Sequence, residues 1–249
     1  SVSTIGDGGV AGNLGQATST ATNLVLGGGT LKYTGVTAST NRAFTITNGT
    51  TGTFEISSNT ADLTISGAAA TTSGALTKTG TGRLILSGAN AYTGVTTISA
   101  GVLRASNASA LGNISSGTTV ADGAALEITT TINAEPLTLN GSGISSGGAL
   151  RGISTSTYAG AITQASDSRI NSDSGTLTLD VATGSAITGT YNITFGGSGN
   201  TTVANPIATS TGTLTKDGSG TLTLSGINTH SGSNIISAGT LSVAGDRAF

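Results

Sequence analysis

The chain has 249 residues, 40 of them glycine and two proline, with no Cys, Met or Trp; 8% are charged and the formal net charge is −2. Nine Lys and Arg spread from Lys32 to Arg247 form no basic stripe for nucleic acid and no polybasic patch for lipid. A 35% hydrophobic content with so few charges is the reverse of a disordered composition, and 3% aromatics argues against a sandwich packed on large rings.

Taken in chain order, apolar residues recur two apart: Leu24/Leu26, Phe44/Ile46, Phe54/Ile56, Leu63/Ile65, Leu84/Leu86, Leu137/Leu139, Leu177/Leu179, Ile193/Phe195 and Leu222/Leu224. Each pair is bounded by Gly, Asn, Ser or Thr, the pattern of short strands with turn punctuation. Ala68 to Thr72 is the one stretch of helical composition and is too short for a helix. Asn48-Gly49 sits between two alternating runs and resembles a hairpin turn. The regular return of strand pairs favours rungs of a solenoid over hairpins.

Leu76 to Ala105 and Leu214 to Val243 align without a gap at an offset of 138, with 16 of 30 positions identical. Leu84, Leu86, Leu222 and Leu224 share one strand face; Ile85 and Thr223 lie on the other. The shared glycines (Gly80, Gly82, Gly88, Gly94 and Gly101, with Gly218, Gly220, Gly226, Gly232 and Gly239) mark places needing positive φ or close approach to other backbone. Asn90 and Asn228 fit either a buried Asn ladder or a left-handed turn. The swapped pairs Tyr92/His230, Arg83/Thr221 and Thr79/Asp217 suggest a solvated outer surface.

This repeat resembles the passenger-associated transport repeat of bacterial autotransporters, roughly L-T-K-x-G-x-G-x-L-x-L-S-G-x-N-x-Y-x-G-x-T-x-I-x-x-G-x-L. The first copy matches from Leu76 to Leu103; the second departs at His230, Asn234 and Ile235. Gly27 to Gly35 and Ser39 to Ser57 look like linking rungs of such passengers. The resemblance implies a right-handed parallel β-helix exported to the bacterial surface; it does not imply an enzymatic activity. The expected architecture is all-β: one continuous solenoid over residues 1–249, a piece of a longer passenger. Ten to twelve coils of about 20 to 25 residues would make a rod of roughly 50 Å. Phe249 aligns with Leu111, so the chain stops inside a repeat, and its open end could join a second copy into a fibre.

Raw material for catalysis is sparse. His230 is the only histidine, and a zinc site would need mostly carboxylates, so neither metal nor cofactor is expected. Asp167, Asp173 and Asp180, with Arg169 among them, are the densest carboxylates; Asp122 and Glu127 form a smaller group. A polysaccharide hydrolase would need two such groups about 5 to 9 Å apart. Surface charges and turn caps are the simpler expectation, and the Asp group remains the weak catalytic candidate. Gly6 to Ala11 fits G-x-G-x-x-A without a following helix, and Gly196 to Val203 fits a calcium nonapeptide except for Thr201, so neither is a binding motif. No run approaches the ~20 apolar residues of a membrane helix, and the start carries no signal-peptide pattern. The leading expectation is a surface or secreted adhesive segment whose partners are glycans or like molecules. A self-associating fibre subunit and a polysaccharide-degrading enzyme are the alternatives.

Overall fold

The computed structural model describes residues 1–244, so the alignment of Phe249 with Leu111 lies outside the described residues. It is a parallel β-solenoid of about ten turns with almost no helix. Two compact units divide it, residues 1–119 and 120–249.

In the first unit Thr30–Tyr33, Thr51–Ile56, Ala75–Thr79 and Thr96–Ile98 stack as one parallel column. A second column holds Ala38–Thr40, Asp62–Ile65, Arg83–Leu86 and Val102–Ala105. Successive partners are 19 to 25 residues apart, for example Leu103↔Leu84 and Ala38↔Leu63. In the second unit one column runs through Ala125–Ile128, Leu150–Gly152, Ile162–Ser172, Ile193–Gly196, Leu214–Lys216 and Asn234–Ile236. Beside it run Thr131–Ile132, Ser156–Tyr158, Thr176–Leu179, Asn200–Val203, Thr221–Leu224 and Thr240–Val243. The 11-residue strand Ile162–Ser172 serves two faces. Its first residues pair with Leu137–Gly141 and Ile187–Thr188, and its last with Leu150–Gly152 and Ile193–Gly196.

Period two explains this directly. Alternate residues face the core, and parallel stacking sets each on its equivalent one coil away. Leu63, Leu84 and Leu103 form one such stack and Ile65, Leu86 and Ala105 the next, all essentially inaccessible. Each full burial of a Leu or Ile contributes about 1.5–3 kcal/mol. Of the nine apolar pairs read from the sequence, eight are buried at both positions; Leu24 is half-buried. Phe44 and Phe54 meet edge to face with centroids 5.2 Å apart.

Asn48-Gly49 is a corner and no hairpin. Thr45–Ile46 pairs with Val25–Leu26, and Thr51–Ile56 pairs with Thr30–Tyr33, both parallel. Gly49 has φ +70°, and the Thr50 N–H bonds the Thr47 carbonyl at 3.1 Å.

The G-x-G-x-x-A stretch has another use. Arg42, 2% exposed, sends its guanidinium into the irregular N-terminal segment. It donates to the carbonyls of Gly6 (3.0 Å), Ala17 (3.0 Å) and Gly15 (2.8 Å), with longer bonds to those of Asp7 and Val10. A segment with few apolar side chains is thereby folded around a cation by its own backbone.

Candidate functional site

Each copy of the repeat makes a coil and a half that stacks on itself. Leu76, Thr77 and Lys78 pair with Thr96, Thr97 and Ile98; Leu214, Thr215 and Lys216 pair with Asn234, Ile235 and Ile236. The lysine shares its strand face with the leucine two residues before it, and so points inward. Lys78 lies in register between Phe54 and Ile98, Lys216 between Phe195 and Ile236.

Such burial needs compensation. Lys78 Nζ, in a residue with no accessible surface, donates to the carbonyls of Thr79 (2.8 Å), Gly80 (2.9 Å) and Ala100 (3.1 Å). Lys216 repeats this with Asp217 (2.6 Å), Gly218 (2.9 Å) and Ala238 (3.3 Å). Two successive corners are thus tied to one ammonium. Gly101 closes the cradle at φ +67°: a Cβ there would overlap the Gly80 carbonyl oxygen and lie 2.6 Å from that of Gly82 and 2.9 Å from Lys78 Nζ. Gly239 occupies the same position over Lys216.

Burial pulls the Lys78 ammonium down to about 8, with Glu55 opposing, and lowers Lys216 as well. The unfolded lysine titrates near 10.4. Between about pH 8 and 10 the unfolded chain therefore binds more protons than the folded one, and stability rises with pH in that window. Urea midpoints at pH 7, 8, 9 and 10 should climb for the parent chain relative to Lys78→Met/Lys216→Met. Equal slopes would contradict this assignment. At pH 7 the double variant is expected to be the less stable, because its cradle carbonyls lose their donors.

Asn90 and Asn228 are buried, as one of the two readings has it, but each bonds across coils singly and no Asn ladder forms among the described residues. Asn90 accepts from the Ala69 N–H at 2.7 Å and donates to the Ala110 carbonyl at 2.6 Å, so one side chain joins three levels of the stack. Asn228 accepts from the Ile207 N–H at 2.8 Å. Neither has positive φ.

Tyr92 corrects the outer-surface expectation. It is fully buried, its hydroxyl 2.6 Å from Thr96 Oγ1, which in turn donates to the Leu111 carbonyl at 2.9 Å. In the second copy His230 takes this place, half-buried, with Nε2 2.9 Å from Asn234 Oδ1. The departures at His230 and Asn234 are therefore one coupled exchange, Tyr–Thr for His–Asn, at the same four-residue spacing. Arg83 and Asp217 do lie toward the outside, each half-buried in an ion pair: Arg83 reaches both oxygens of Asp62 (2.9 and 3.0 Å), and Asp217 both terminal nitrogens of Arg169 (2.7 and 2.6 Å).

Asp167, Asp173 and Asp180 are not gathered into one group, whereas Asp173 and Glu127 meet on the two terminal nitrogens of Arg151. Asp167 and Asp173 bracket the end of one strand, six residues apart, roughly 20 Å of extended chain. Asp167 accepts from the backbone N–H and the Nδ2 of Asn192, each at 2.9 Å. Asp173 pairs with Arg151 and accepts from Asn171 Nδ2 at 3.1 Å. Asp180 follows a strand of the neighbouring column and is exposed. Glu127 is buried and pairs with Arg151 at 2.9 Å, while Asp122 packs against Gly141. Among the described residues no three His, Cys, Asp or Glu side chains cluster as a metal site, and Thr201 is a core residue between Leu177 and Leu222.

What the second unit offers a ligand is a shallow groove of about 530 Å³ on its outer face. Its floor is the outward column Arg169, Thr194, Thr215 and Ile235, in register across four coils. Asp167 and Asn192 form one side. The buried lysines and the groove were not read from the sequence. The lysine was signalled by its parity with Leu76 and Leu214; the groove exists only once coils 20 to 25 residues apart are stacked.

The passenger-associated-transport-repeat profile matches residues 76–105 and 214–243. Over 242 residues, 97% of the chain, the sequence is 35% identical to the adhesin BmaC autotransporter of Brucella suis biovar 1 (strain 1330). The chain spans about 6% of that relative's length. No solved structure matches. The chain is a parallel β-solenoid built around two passenger-associated transport repeats and is homologous to a stretch of an autotransporter adhesin.

Proposed function

We propose that this solenoid is an adhesive segment displayed outside a bacterial cell as part of a longer passenger. The observation that carries the proposal is its similarity, along nearly its whole length, to part of a protein named as an adhesin. The structure supports it in a second way. Stacked coils present shallow faces of Thr, Ser and Asn, while Asp167 is held by Asn192 and Asp173 shares the Arg151 guanidinium with Glu127 in an ion-paired cluster. Such faces suit many weak polar contacts with an extended surface better than enclosure of a reacting bond.

The test is gain of adhesion. Residues 1–249 displayed on a non-adherent bacterium should raise attachment to host cells or coated surfaces at least tenfold, and the soluble segment should compete. Attachment no greater than with an unrelated displayed solenoid of similar length would overturn the proposal.

A further inference from the structure

We propose that the groove over Arg169, Thr194, Thr215 and Ile235 binds a neutral, hydroxyl-rich glycan; this deepens the adhesive reading and rests on it. The argument begins with which groups are already committed. Both terminal nitrogens of Arg169 are taken by Asp217, and its Nε donates to Asn171 Oδ1 at 3.2 Å. Both oxygens of Asp167 are occupied by Asn192, whose own Oδ1 accepts from the Thr213 N–H at 2.9 Å. Arg169 is neutralised by Asp217, while Asp167 keeps its negative charge with only the uncharged Asn192 as partner, so a cationic group of the groove is not free for an anionic ligand and the remaining carboxylate repels one.

The hydroxyls are the opposite case. Those of Ser142, Ser146, Thr194, Thr213 and Thr215 line the groove and make no hydrogen bond to the described residues. Each can donate one hydrogen bond and accept two. A wall of uncommitted hydroxyls beside a closed Arg169–Asp217 pair and the negative Asp167 matches an uncharged ligand that is itself made of hydroxyls. Ile235, 46% exposed, adds an apolar patch for the carbon face of a sugar ring. Tyr191, 41% exposed and next in sequence to Asn192, is the one exposed aromatic ring among the described residues.

Two further features fit. The column repeats at the coil spacing of about 4.8 Å, close to the advance per ring of an extended glycan, so successive rings would meet successive coils. The rim loop also holds Ser145 and Ser146 at φ 51° and 57°, an arrangement that is uncommon for residues other than glycine. A volume of about 530 Å³ lies within the range of small-ligand sites.

The experiment probes the purified segment against immobilised neutral oligosaccharides of glucose, galactose, mannose and N-acetylglucosamine, with sialylated and sulfated counterparts. Neutral glycans should bind, and sialylation or sulfation should not strengthen binding. Thr194→Leu/Thr215→Leu, which fills the groove and removes two hydroxyls, should weaken binding at least tenfold. Thr178→Leu/Thr202→Leu, outward threonines of the neighbouring column, should leave it unchanged. Melting curves confirm that both variants are folded; if the groove variant is not, Thr215→Ala and Ser146→Ala, both in the groove lining, replace it with the same expectation. No binding to neutral glycans, preference for anionic ones, or equal loss in groove and control variants overturns the proposal. If cells displaying the parent segment still adhere in those cases, the groove assignment alone fails; if they do not adhere, the adhesive reading fails with it.

Discussion

Gly101→Ala should destabilise the solenoid by about 3 kcal/mol or more, a large effect for adding one methyl group. Two costs combine. An L-residue at φ +67° carries roughly 1–2 kcal/mol of left-handed strain. The new Cβ also collides with backbone, which cannot rotate away as a side chain would: it overlaps the Gly80 carbonyl and sits 2.6 Å from that of Gly82, the acceptor of the Val102 N–H. Moving either oxygen disturbs the cradle around Lys78 and the pairing of the next coil. Gly49→Ala is the control, because Gly49 has φ +70° and nothing within 4 Å of an added Cβ. It should cost only the strain, about 1 kcal/mol. Urea unfolding followed by circular dichroism reads both. Similar costs for the two variants would show that close stacking at Gly101 is not what the glycine serves.

Asn90→Leu should cost about 2–4 kcal/mol. The leucine is of similar size and apolar, so packing is roughly conserved and the change isolates the hydrogen bonds. What remains is a buried Ala69 N–H and a buried Ala110 carbonyl with no partner from residue 90. Each unsatisfied group carries its own desolvation penalty of about 1–3 kcal/mol. Amide exchange at Ala69 should accelerate more than at strand residues such as Leu84. A loss below 0.5 kcal/mol in urea unfolding would mean that the Asn serves only local turn geometry.

Much of this fold is written in one-dimensional terms. A period of two, broken by Gly and Asn, is a local property, and Leu63/Ile65 or Leu84/Leu86 show their inward face without any knowledge of neighbours. The kept glycines were legible for the same reason: a missing side chain marks a place where none fits. Lys78 and Lys216 escaped because a lysine is expected outside, although each stands two residues after an inward leucine. Tyr92 escaped because its replacement by His230 looked like surface freedom. The partner changes with it, Thr96 for Asn234, and that coupling shows only when both sites are seen together. The groove was beyond sequence reading altogether, since Asp167, Asn192 and Thr213 meet only through stacking. The same stacking explains why Asp167, Asp173 and Asp180 were singled out together: they are near one another in sequence and are carried to different places by the coil.

The central claim is parallel stacking in register, and a chain without cysteine allows a clean covalent test. Thr77 and Thr97 are partners in adjacent coils with outward side chains, within disulfide reach at the strand spacing of about 4.8 Å. Thr77→Cys/Thr97→Cys should oxidise to an intramolecular disulfide visible by non-reducing peptide mass spectrometry, and Thr77→Cys/Ile85→Cys, the pairing a hairpin through Gly80 and Gly82 would make, should stay reduced. Cross-linking of 77 to 85 in place of 77 to 97 would contradict the account.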